Sequence, residues 1–64
     1  MALSSNNVGK QVIYNKTDEN MYIAGIIVSY YKNDNTNEEY YMVSIGPSRE
    51  VIRVDNDTDL IIVN

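Results

Sequence analysis

The stretch Met21-Tyr22-Ile23-Ala24-Gly25-Ile26-Ile27-Val28-Ser29-Tyr30-Tyr31-Lys32 decides the fold. Val, Ile and Tyr crowd it, and these residues favour a pleated strand. Side chains on a strand alternate between faces. One face therefore carries Ile23, Gly25, Ile27, Ser29 and Tyr31, and the other Tyr22, Ala24, Ile26, Val28 and Tyr30. Both faces are apolar, whereas a strand with one wet side should alternate apolar with polar. Gly25 sits mid-strand, where it weakens a flat sheet but permits a sharp bend.

Outward from this stretch, short apolar runs alternate with clusters of Asn, Asp, Thr, Gly and Pro, the residues of turns. Asn33 to Asn37 reads as a turn, Glu39 to Ile45 as a third strand, and Gly46-Pro47-Ser48 as a tight turn. Glu50 to Asp55 reads as a fourth strand, Asn56 to Asp59 as a turn or a single 3₁₀ turn, and Leu60 to Val63 as a fifth strand. Upstream, Gly9 to Tyr14 is the first strand, with Val12 and Tyr14 on one face and Ile13 on the other; Asn15 to Asn20 is a polar loop. Residues 1–7 read as a flexible tail, leaving 8–64 as one domain. Five short strands without a covering helix expose two edges, and closing into a barrel removes them. The expected fold is all-β: a single five-stranded, strongly bent antiparallel barrel.

Gly9-x-x-Val12-x-Tyr14, Gly25-x-Ile27, Tyr41-x-Val43 and the terminal Asp59-Leu60-x-x-Val63 resemble the SH3-like small barrels of the Tudor and KOW type. The resemblance spans residues 8 to 63. Its motifs are short and apolar, so they point to the barrel shape and to no single family. The KOW motif itself is poorly matched, because the basic residues and second glycine around its turn are missing. The resemblance implies a binding module without catalysis, whose ligand is a peptide, a methylated side chain, RNA or another protein; fold does not choose among these.

Composition narrows the chemistry. The chain has 64 residues, a net charge of −4, six Tyr, and no Cys, His, Trp or Phe. Without Cys there is no disulfide, thiolate nucleophile or cysteine-bound zinc. Without His the usual neutral-pH base and commonest transition-metal ligand are missing. A domain this small has little interior in which to shift a carboxylate pKa for acid–base work. No enzyme activity, metal or cofactor is expected. No apolar run reaches the ~18 residues of a membrane helix, and the first residues lack signal-peptide features. The protein is expected in the cytoplasm. Nine Asn, eight Ile and six Tyr share AT-rich codons, a bias found in low-GC bacteria and phages.

If Asn33 to Asn37 form the hairpin loop, Lys32 faces Glu38, an opposite-charge pair. The same register sets Tyr30 opposite Tyr40, Val28 opposite Met42 and Ile26 opposite Ser44, with Tyr31 and Tyr41 pointing inward. Ile26, Val28, Tyr30, Tyr40 and Met42 then form an outward stripe. A contiguous exposed apolar patch of this kind marks an interface, and Tyr and Met are enriched at interfaces. The acids Asp34, Glu38 and Glu39 at its rim would select a basic partner surface. Two alternatives leave the stripe covered or rearranged: the tail with Leu3, or the closing strand, lies over it, or a bulge changes the faces.

Three further constellations stand beside the stripe. Tyr14, Tyr22 and the outer tyrosines, with Asp18 or Glu19, could build an aromatic cage for a methylated cation. Asp55-Asn56-Asp57-Thr58-Asp59 opens like an EF-hand loop, but Leu60 stands where its Gly belongs and the distal Glu is missing. Lys10, Lys16, Lys32, Arg49 and Arg53 are scattered among nine acids, few contacts for nucleic acid. The expected function is a non-catalytic protein-binding module, an inhibitor or adaptor of the phage type that docks on a host protein through the outer face of strands two and three. The alternatives are a nucleic-acid-binding Tudor/KOW-like barrel and a structural homodimer of the same stripe.

Overall fold

A computed structural model describes residues 3–16 and 20–63. Five strands form in chain order: β1 (Gln11–Lys16), β2 (Met21–Asn33), β3 (Glu38–Ile45), β4 (Glu50–Val54) and β5 (Leu60–Ile62). The expected strands are all present, with β1 displaced two residues toward the C-terminus. All pair antiparallel in one sheet, ordered β4-β3-β2-β1-β5. Among the described residues no ladder joins β4 to β5, so the backbone sheet is open along that seam.

Chain connectivity bends this sheet. β4 and β5 occupy opposite edges, which in a flat sheet lie about 19 Å apart, four inter-strand steps of about 4.8 Å. Leu60 follows Val54 by only six residues, and Asp57–Asp59 is a 3₁₀ turn. Three residues at about 2 Å and three at about 3.3 Å reach roughly 16 Å at most. The ends are also offset lengthwise. Val54 pairs with Tyr41 and so lies level with Tyr30, whereas Leu60 pairs with Tyr14 and lies level with Ile23. Only a curled sheet lets this link span both offsets. The 3₁₀ turn is capped by Asn56, whose side chain accepts from the Thr58 amide at 3.0 Å.

The bend falls on β2 between those two levels, where the sequence holds two devices. At Gly25 a Cβ would meet the Ser44 carbonyl oxygen at 2.5 Å and the Ile45 Cγ2 at 2.9 Å. The absence of a side chain there lets β2 and β3 cross closely. At Val28 the register slips: Ile27 pairs with Val43, but Ser29 pairs with Met42. Val28 is the extra residue of a bulge, which increases bend and twist.

The concave face holds the core. Val12, Ile27, Tyr41, Val43, Ile45, Val54 and Leu60 are buried there, with Tyr14, Ile23, Tyr30 and Ile52 packed around them. Strands from both edges contribute, as the curl requires. Leu3 completes the cluster at 7% exposure. Residues 1–7, expected as a flexible tail, are docked over their described part: Ser5–Asn7 forms a 3₁₀ turn. The buried Tyr41 hydroxyl accepts from the Ser4 amide and Asn7 Nδ2, both at 2.9 Å, and donates to the Ser4 carbonyl at 3.0 Å. One phenol thus satisfies its own buried oxygen and clamps the segment that seals the core.

The tight approach at Gly25 gives a direct test. Gly25→Ala should lower stability by about 2–3 kcal/mol, the scale of overpacking a filled site. Urea unfolding measures it, and an unchanged midpoint would contradict the close crossing.

Candidate functional site

The convex face is left to solvent. The N-terminal segment seals the concave side and β5 pairs beside β1, so neither covers the convex faces of β2 and β3. Of the five stripe residues, Ile26 and Val28 are exposed, at 44% and 48%. Tyr40 and Met42 alternate with buried Tyr41 and Val43, which places them on the convex side, half-buried.

Tyr30 does not belong to the stripe. The bulge at Val28 advances the register by one residue, so Tyr30 pairs with Tyr41 and Tyr31 with Tyr40. A slip of one residue exchanges faces. Tyr30 packs against the core with its ring 5.9 Å from that of Tyr41, and Tyr31 takes the outward place expected of Tyr30. The hairpin loop is correspondingly four residues long, with Lys32 opposite Glu39 and Asn33 opposite Glu38. Ile26 opposite Ser44, on the near side of the bulge, has the expected partner.

The convex face has two unlike halves. At the hairpin end, Tyr31 and Tyr40 stack with centroids 4.9 Å apart. The Arg53 guanidinium lies 4.1 Å from the Tyr40 ring centroid, a cation–π contact. Arg53 also donates to Asp55 at 2.6 Å and Glu38 at 3.0 Å. This half is roofed by the chain's own side chains. The rim acids are partly engaged there. Glu38 holds Arg53, Glu39 accepts from the Tyr30 hydroxyl, and Asp34 lies 3.9 Å from Lys32 Nζ.

The other half is open. Ile13 sits between Ile61 and Ala24 in one cross-strand row, and Ile26 between Gln11 and Ser44 in the next. These rows floor a shallow groove of about 710 Å³ that runs past Val28 and Gly46 to Val63 and Arg49. Arg49 is its single charged lining residue. The sequence reading did not draw Ile13 and Ala24 into the site, although the alternation of β1 and β2 already sets each outward. Tyr31 faces outward and not inward as the unbulged register implies, because a bulge leaves little trace in an apolar run.

The remaining constellations do not assemble. Tyr14 packs on the concave core while Tyr22 is 64% exposed on the convex side, so the two cannot face one cation. Asp18 and Glu19 lie outside the described residues. Among the described residues no three acids cluster as metal ligands, and no helix is long and apolar enough to cross a membrane.

No protein-family model, curated protein or solved structure matches this chain. The site therefore rests on its own geometry.

Tyr30 reports on the new register. The hydrogen bond to Glu39 is the largest cause pushing its pKa up from 10.0 to about 12, followed by desolvation and the nearby negative charge. A raised phenol pKa means the folded state holds its proton longer. This contribution is complete below pH 10 and is lost as pH rises through about 12. Tyrosinate absorbance should show one group titrating near pH 12, moved back toward 10 by Glu39→Gln; no late-titrating group would contradict the contact.

Proposed function

We propose that this chain is a non-catalytic protein-binding module, an inhibitor or adaptor that docks through the convex face of β2 and β3. The observation that carries the reading is Ile26 and Val28, exposed side by side on the floor of an apolar groove that no described segment covers. A 64-residue chain has few apolar residues to place, and exposing a contiguous set fits an interface. Tyr31, Tyr40 and Met42 extend the surface toward the hairpin. Asp34 and Glu38 give that end a negative rim, suited to basic residues on the partner, whereas Glu39 lies on the core side with Tyr30.

The barrel reading belongs with this proposal. The strand order, the curl demanded by the Val54–Leu60 link, the 3₁₀ turn before β5 and a core shared by both sheet edges support an SH3-like barrel with an open seam. Such barrels bind and do not catalyse, in keeping with the resemblance of the Gly9, Gly25, Tyr41 and Leu60 motifs.

A nucleic-acid ligand has less support. Arg53 is already committed to Asp55, Glu38 and the Tyr40 ring. Few cations remain for phosphates, which supply most of such affinity.

Ile26→Asp should keep the native circular dichroism spectrum and weaken partner capture from source-cell lysate at least about tenfold, as for a central interface residue. Asn6→Asp, exposed on the 3₁₀ turn of the concave side, should leave capture unchanged. Capture that survives Ile26→Asp would overturn the docking face.

A further inference from the structure

We infer that the groove beside Ile26 binds an extended, acidic-aliphatic segment of the partner protein, with an aliphatic side chain on its floor and a following carboxylate on Arg49. This rests on the docking role proposed above and names the chemistry of its partner. Three observations converge on it. The first is shape and polarity: Ile13, Ala24, Ile26 and Val28 make an aliphatic floor in a groove of about 710 Å³, a volume suited to side chains of a peptide.

The second is charge. Arg49 is the groove's single charged lining residue, and its guanidinium makes no ion pair or hydrogen bond among the described residues. Arg53, by contrast, holds two carboxylates and a ring. In a chain of net charge −4, a cation with no partner among the described residues, at the end of an apolar groove, is complementary to a carboxylate. At the opposite, hairpin end of β2 and β3, Asp34 and Glu38 stand beside the cations Lys32 and Arg53, so Arg49 is the cation that the groove itself presents. Its place in the groove lining fixes where a bound segment carries its acid.

The third is backbone. Five described residues have positive φ, and four of them are Asn20, Asn37, Gly9 and Gly46, types that tolerate it. The fifth is Arg49, at φ 56°. Its Cβ is strained there, and Gly or Asn would serve the turn better. A long cation held at a costly backbone position is consistent with a job for its side chain.

The test is an NMR titration of the ¹⁵N-labelled protein with blocked hexapeptides of alternating Leu and Glu, Leu and Gln, or Leu and Lys. The Leu/Glu peptide should shift the amides of Ile26, Val28, Ser44, Gly46 and Arg49. Arg49→Gln should weaken it by about fivefold, the scale of one exposed charge-assisted contact. The Leu/Gln peptide should bind the native protein with the same weakened affinity, and the Leu/Lys peptide more weakly still. Arg49→Gly should weaken the Leu/Glu peptide equally while melting no lower than the native protein, separating the side chain's role from the turn's stability. Equal binding of the three peptides, shifts away from the groove, or no binding of the Leu/Glu peptide would overturn the inference. Partner capture that survives Arg49→Gln but not Ile26→Asp would reject this segment chemistry and leave the docking face standing.

Discussion

A link of five residues between Val54 and Leu60 must join opposite edges of a five-stranded sheet. It is too short to do so unless the sheet curls. The other main features follow from that constraint. β2 has to bend, and it does so where Gly25 lets β3 pass close and where the bulge at Val28 adds a residue. The curl gathers Val12, Ile27, Tyr41, Val43, Val54 and Leu60 from all five strands into one small core. It also leaves an opening that Leu3 and the Tyr41 hydroxyl close together.

A sheet that buries its concave face in this way has no second layer to cover the convex one. Apolar residues on that side either find cover locally or remain exposed. Both outcomes occur. Near the hairpin, Arg53 roofs Tyr40, and Tyr31 stacks beside it. Beyond the bulge, Ile26 and Val28 have no such roof. The split turns a uniform apolar stripe into a partly self-satisfied half and an open half, and it moves the weight of the proposed interface from the tyrosines to the aliphatic groove.

Much of this was legible from the residues. Val, Ile and Tyr runs punctuated by Asn, Asp, Gly and Pro located all five strands, and the mid-strand Gly25 marked the bend. Alternation placed Tyr41, Val43 and Ile45 inside and Tyr40 and Met42 outside. What was not legible was the one-residue slip after Ile27. In a segment apolar on both faces, either register buries apolar side chains, so hydrophobic patterning cannot choose between them. The choice falls to contacts outside the pattern, among them the Tyr30–Glu39 hydrogen bond. The docking of Leu3 was hidden for a similar reason: one leucine in a polar segment has no period, and its place depends on the Tyr41 hydroxyl, which holds neighbouring Ser4 from 37 residues away.

The bulge at Val28 decides which tyrosine joins the core and which joins the convex surface, so the account stands or falls on the pairing beyond it. A two-dimensional NOESY spectrum measures that pairing directly. Cross-strand contacts between Tyr31 and Tyr40, with the Tyr30 ring against Tyr41, are the predicted result. Contacts joining Tyr30 to Tyr40, with Tyr31 against Tyr41, would mean an unbulged strand, a different outer face, and a docking surface wrongly drawn.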